Sequence, residues 1–142
     1  MDPDLVDPLE DDLGLPADGE DWHVELLVDP TGQGRAGYAY TFGLVNYGHV
    51  ELYIGPEPHS SGQPLGLPER ARLLAMIAHR LVDEDLAPDQ VLTEDFDDGR
   101  LVATYWLGEE EPATGVLATA LPDSPTVMPV RWTARRGQLS YY

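Results

Sequence analysis

Two identical tetrapeptides, His23-Val-Glu-Leu26 and His49-Val-Glu-Leu52, are the residues of this chain whose types and spacing speak most directly of chemistry. On a β-strand, residues two apart share a face, so each tetrapeptide would present an imidazole beside a carboxylate. If the two strands meet, His23, Glu25, His49 and Glu51 converge as nitrogen and oxygen ligands, a set suited to zinc or iron. If they do not, each His and Glu is a solvated or cross-paired group on an outer sheet surface.

Other chemistries lack their spacing. Ser60-Ser61 beside His59 carries no Gly-x-Ser-x-Gly elbow and lies among prolines, so a catalytic triad would rest on residue types alone. Glu94-Asp-Phe-Asp-Asp-Gly99 has Phe96 at the third position of a calcium loop, where a ligand is needed, and no bidentate Glu follows at the required distance. Gly32, Gly34 and Gly37 are not followed by the Lys-Ser/Thr of a phosphate cradle. The absence of cysteine excludes disulfides, thiolate metal sites and cysteine nucleophiles.

The elements that must position these residues are read from periodicity. Trp22–Val28 alternates as a first strand, Asp29–Gly34 supplies turn chemistry, and Ala36–Phe42 returns as a second strand, so the pair reads as a hairpin. Gly48–Ile54 alternates again, with Val50, Leu52 and Ile54 opposed to His49, Glu51 and Tyr53. From Pro68, Leu73, Leu74, Ile77 and Leu81 recur at helical spacing to about Asp85, with Arg70, Arg72 and Arg80 expected on the flanks and His79 facing solvent. Val91–Thr93 and Arg100–Leu107 flank an acidic turn with Asp98-Gly99, Gly115–Leu121 reads as a strand, and Val127–Thr133 as a last one. The expected fold is α+β: a mainly antiparallel, curled or barrel-like sheet of about six strands with one principal amphipathic helix.

Of 142 residues, 26 are acidic and 8 basic, all 8 being arginine, for a net charge of −18. That field repels nucleic-acid phosphate, and it fits a salt-adapted proteome, a solubility device or an acidic face for a basic partner. Nine of the acidic residues fall in the first 21, with prolines at 3, 8 and 16 and no basic residue, so a disordered acidic leader (1–21) is expected before a single domain (22–142). Leu5, Val6, Leu9 and Leu13 nevertheless approach helical spacing within it. With neither signal-peptide pattern nor membrane-length apolar run, the expected location is the cytoplasm.

Ala39-Tyr-Thr-Phe-Gly-Leu44 followed by Gly48-His-Val-Glu-Leu52 resembles the bacterial family catalogued as domain of unknown function 4262. Members show a tryptophan and short strand, an Ala-Tyr-Thr-x-Gly-Leu block, a His-Pro-Glu-Leu-like block, and a helix. Trp22, Ala39–Leu44, His49–Leu52 and the helix from Pro68 stand in that order here, with Val50 where the family has proline. The resemblance implies a shared fold, makes Tyr40, Thr41, Gly43, Leu44, His49 and Glu51 the positions of interest for a shared site, and brings no established activity. Those residues read either as a polar pair that exchanges a proton or orients a ligand, or as a hydrogen-bonded turn lock with Tyr40 in the core.

Two functions follow as expectations. One is a non-enzymatic, regulatory or immunity-like protein that docks a basic partner through its acidic surface. The other is a small ligand-binding domain or enzyme with a pocket around Thr41, His49 and Glu51, with or without a metal.

Overall fold

Apolar alternation becomes a seven-stranded sheet in the computed structural model, which describes residues 21–27, 37–60, 62–87 and 89–137. The expected acidic leader, apart from Asp21, and the 29–34 turn lie outside the described residues. Strand β1 (His23–Leu27) pairs antiparallel with β2 (Tyr38–Phe42), with Glu25 opposite Tyr40 and His23 opposite Phe42. A 3₁₀ turn at Leu44–Tyr47 leads into β3 (Glu51–Ile54), antiparallel to β2. After helix α1 (Leu67–Val82) come β4 (Leu92–Phe96), β5 (Leu101–Leu107), the two-residue β6 (Glu111–Pro112), the short helix α2 (Gly115–Ala120) and the long β7 (Thr126–Arg136).

The strand order is β1-β2-β3-β7-β5-β4, with β6 paired to the start of β7. The fold is thus α+β, mostly antiparallel, with one main helix. β1 and β4 stand at opposite edges without pairing to each other, so the sheet is open and not closed into a barrel. The exception to antiparallel pairing is β3 with β7, which run parallel, Glu51 opposite Val127 and Tyr53 opposite Pro129. Further along β7 the loop after β3 takes over that edge: His59 and Gln63 N–H groups donate to the Trp132 and Ala134 carbonyls at 2.7 and 2.8 Å.

One face of the sheet carries α1. Its Leu73, Leu74 and Ile77 are fully buried with Leu52, Ile54, Tyr105 and Trp132, each such side chain contributing about 1.5–3 kcal/mol on burial. The other face is covered in part by α2, whose Leu117 and Leu121 close over Tyr40 and Val127.

Four expectations are corrected by these contacts. Gly115–Leu121 is a helical turn and not a strand, because burying Leu117 and Leu121 on one side needs the i, i+4 spacing of a helix. The acidic stretch Glu94–Phe96 is part of β4, so the chain reverses only at Asp97-Asp98-Gly99, all three with positive φ. Arg70 does not project from a flank; it is fully buried at the start of α1, donating to the carbonyls of Leu65 at 3.1 Å and Gly37 at 2.6 Å. His79 is half-buried instead of solvent-facing, its ring set edge-on to Trp22 at 4.8 Å.

Candidate functional site

Between β2 and β3 the chain makes a tight reversal, and its geometry is dictated by Gly43. The residue has φ 113°, a region L side chains rarely enter, and a Cβ there would lie 2.1 Å from the Asp21 carbonyl oxygen. Beyond it, Asn46 and Gly48 N–H groups donate to Gly43 and Val45 carbonyls, and the His49 N–H donates to the Leu44 carbonyl at 3.2 Å. The Asn46 side-chain amide donates to the Asp21 carbonyl at 3.0 Å, fastening the turn to the segment that enters β1.

The inside of this reversal is held by one carboxylate. Glu51 is only 3% exposed. Its Oε1 accepts from the Thr41 hydroxyl at 2.8 Å and the Leu44 N–H at 3.1 Å, and its Oε2 accepts from the Gly43 N–H at 2.9 Å. Thr41, also buried, accepts at the same hydroxyl from the Leu52 N–H at 2.8 Å. A chain of donors and acceptors therefore runs from β3 through Thr41 to Glu51 and on to the turn, and no buried side-chain nitrogen or oxygen among the described residues lacks a partner. Three donors on one carboxylate meet the requirement that a buried acidic group be hydrogen-bonded.

Of the predicted site residues, the structure brings Thr41, Gly43, Leu44 and Glu51 into this one network. His49 joins through its backbone, and its half-buried imidazole makes no hydrogen bond or ion pair among the described residues. Tyr40 points elsewhere: it is buried against Leu117 and Val127 and donates to Glu25 Oε2 at 3.1 Å. Burial, then the charge of Glu25 and the hydrogen bond to it, push the Tyr40 hydroxyl above the usual tyrosine range.

The four candidate metal ligands are likewise divided. His23 lies 3.7 Å from Glu25 and stacks on Phe42, ring centroids 5.7 Å apart, while Glu51 is committed to the turn. Among the described residues no group of three or more His, Cys, Asp or Glu side chains comes together in a way that could hold a metal ion.

Sequence reasoning overlooked a second polar cluster on the face away from α1. Tyr53 donates to Glu111 of β6, and burial followed by that hydrogen bond raises its hydroxyl above the ordinary range, with the charge of Arg131 pulling the other way. Tyr38 lies beside it, the two ring centroids 6.1 Å apart. The alternation of Tyr38 and Tyr40 hinted at an aromatic face; Glu111 and Arg131 join it only because β7 runs parallel to β3.

Fold and site together define an open, mostly antiparallel α+β sheet with one main helix and a β2–β3 tip fixed by a buried glutamate. Compared with known proteins, the chain matches no family model, no curated protein and no solved structure.

Proposed function

We propose that this is a non-catalytic binding protein that docks a basic partner protein through the β2–β3 tip. One observation carries the reading: of four large hydrophobic side chains exposed among the described residues, Phe42 (49%), Val45 (59%) and Tyr47 (37%) belong to the tip. An acidic chain of net charge −18 thus carries three of these four side chains on a turn held by Glu51. Charge steers the encounter with a cationic surface, and a preorganised apolar tip supplies contact area at low entropic cost. The partner is a regulated protein or a toxin that this chain neutralises in the cytoplasm, and nucleic acid is disfavoured by charge. The blocks that resemble the family of domain of unknown function 4262, Ala39–Leu44 and His49–Leu52, are the two arms of this tip, and on this reading the tip is the feature the resemblance shares. No helix among the described residues is long and apolar enough to cross a membrane.

Fluorescence anisotropy with two labelled probes tests the reading: an arginine-only peptide and an amphipathic arginine–leucine peptide of the same charge. The amphipathic peptide is expected to bind more tightly, both affinities falling with added salt, and Val45→Asp with Tyr47→Ser should abolish the preference. Equal binding of both probes to wild type, or a preference unaltered in the variant, would leave only unspecific charge attraction and sink the proposal.

A further inference from the structure

On the face away from α1, between the ends of β2 and β3 and the middle of β7, lies a cleft of ≈ 260 Å³. Tyr38, Tyr53, Pro56, His59, Pro129 and Arg131 form its walls. It is far from featureless. A Cβ on Gly55 would come 3.1 Å from Cε2 of Tyr38, so glycine leaves room for the ring at one wall. His59 stands at the mouth with its ring edge-on to Trp106, centroids 5.3 Å apart. The walls are aromatic and proline surfaces, suited to a flat apolar body.

The polar groups in the cleft are mostly donors. Arg131 is half-buried, its side chain lying across the backbone of Gly108, and among the described residues its guanidinium makes no hydrogen bond or ion pair. That is unexpected in a chain with 26 acidic residues, where a nearby carboxylate partner is the default. The Tyr38 hydroxyl has no hydrogen-bond partner among the described residues either, whereas Tyr53 spends its proton on Glu111. Arg131 lines the cleft together with both tyrosines, two residues along β7 from the Pro129 that stands opposite Tyr53. The side-chain carboxylates nearby are Glu57, which lines the cleft, and Glu111, which accepts from Tyr53.

We propose that this cleft binds a small monocarboxylate carrying a flat apolar body, the carboxylate forked by Arg131 and touched by the Tyr38 hydroxyl, the body held between the tyrosine rings and the prolines. A guanidinium matches a planar carboxylate through two parallel hydrogen bonds. Glu57 and Glu111 repel a second negative charge, which disfavours phosphate dianions. The volume lies just below the ~300–1,000 Å³ of sites for drug-sized molecules, which limits the ligand to about the size of a single ring with a short acid arm. The site is on different residues from the β2–β3 tip and stands or falls independently of it.

The test is a titration followed by two-dimensional NMR, using phenylacetate as the probe with acetate, benzyl alcohol and inorganic phosphate as comparators. A built-in reporter is the Trp132 indole N–H, which donates at 3.1 Å to the carbonyl of Gly55, a residue lining the cleft. Phenylacetate should give saturable shifts at Gly55, Arg131 and the Trp132 indole, with acetate and benzyl alcohol each binding at least about tenfold more weakly. Arg131→Gln should abolish saturation while leaving the unliganded spectrum folded. Tyr38→Phe should weaken binding by roughly two- to tenfold, the worth of one hydrogen bond. Arg131→Lys, which keeps the charge and loses the fork, should bind between wild type and Arg131→Gln. Absence of saturable shifts, undiminished binding by Arg131→Gln, benzyl alcohol binding as well as phenylacetate, or phosphate binding more tightly would each overturn the proposal.

Discussion

Thr41 and Glu51 are side chains whose value lies in what they leave satisfied. Replacing Thr41 with the isosteric Val keeps its volume and removes both an acceptor for the Leu52 N–H and a donor to Glu51. Glu51→Gln turns an amide NH2 toward backbone N–H groups that need an acceptor. Each substitution is expected to destabilise the fold by about 1–3 kcal/mol, the usual cost of stranding a buried partner. Because the two groups share one network, the double variant should cost clearly less than the sum. Urea denaturation of the four proteins checks this; strict additivity would mean that the two residues act separately. At this scale the sequence was informative about which residues matter and silent about how. Thr41, Gly43 and Glu51 are visible as a block, but the atoms they spend on one another depend on a φ of 113° at Gly43 and on the approach of Asp21. The His23 and Glu25 pair shows the converse, since an identical tetrapeptide lands on an edge strand and meets Phe42 and Tyr40 instead of its twin.

At the scale of elements, α1 is fastened to the sheet by more than its apolar face. Buried Arg70 joins the first turn of the helix to the Leu65 loop and to Gly37 at the entrance of β2. Burial holds its guanidinium below the ordinary arginine range. Arg70→Lys keeps a charge but cannot spread two donors from a planar fork, so it should recover little of what Arg70→Ala loses, which is expected to be about 3–5 kcal/mol. Chemical denaturation gives the comparison, and a lysine variant as stable as wild type would refute the fork argument. Helical spacing made α1 legible, yet the same spacing gave no reason to bury Arg70, because the carbonyl it serves at Gly37 lies outside the helix and far along the chain. The segment 115–121 failed for a related reason: seven residues fit either periodicity, and the covering partners Tyr40 and Val127 decided between them. The parallel pairing of β3 with β7 has no local signature at all.

For the molecule as a whole, tyrosines buried on both faces of the sheet link stability to alkaline pH. Burial, followed by the charge of Glu94, pushes Tyr105 up from 10.0 to about 12, and Tyr40 and Tyr53 are raised as well. Above about pH 10 the unfolded chain releases phenolic protons that the folded protein retains, so folding binds protons there and stability falls as pH rises. The contribution is complete below pH 10 and is lost as pH climbs through the folded values. Urea midpoints should therefore be level on this account up to pH 10 and decline beyond it, and Tyr105→Phe should make the decline shallower, with the part of the tyrosinate absorbance that this substitution removes rising together with unfolding. If that part rose well before unfolding, the Tyr105 hydroxyl would be open to water.

The position of β7 carries one more consequence. Among the described residues it is the one strand joining β1, β2 and β3 to β5 and β4, and it comes after all of them in the chain. The two halves of the sheet can each form hairpins early, but neither can share a hydrophobic core with the other until Thr126–Arg136 threads between them. The search for that last, distant pairing is expected to set the pace, with refolding in roughly milliseconds to seconds. Until the strand is seated, the edges of β3 and β5 stand open to any other strand that arrives first.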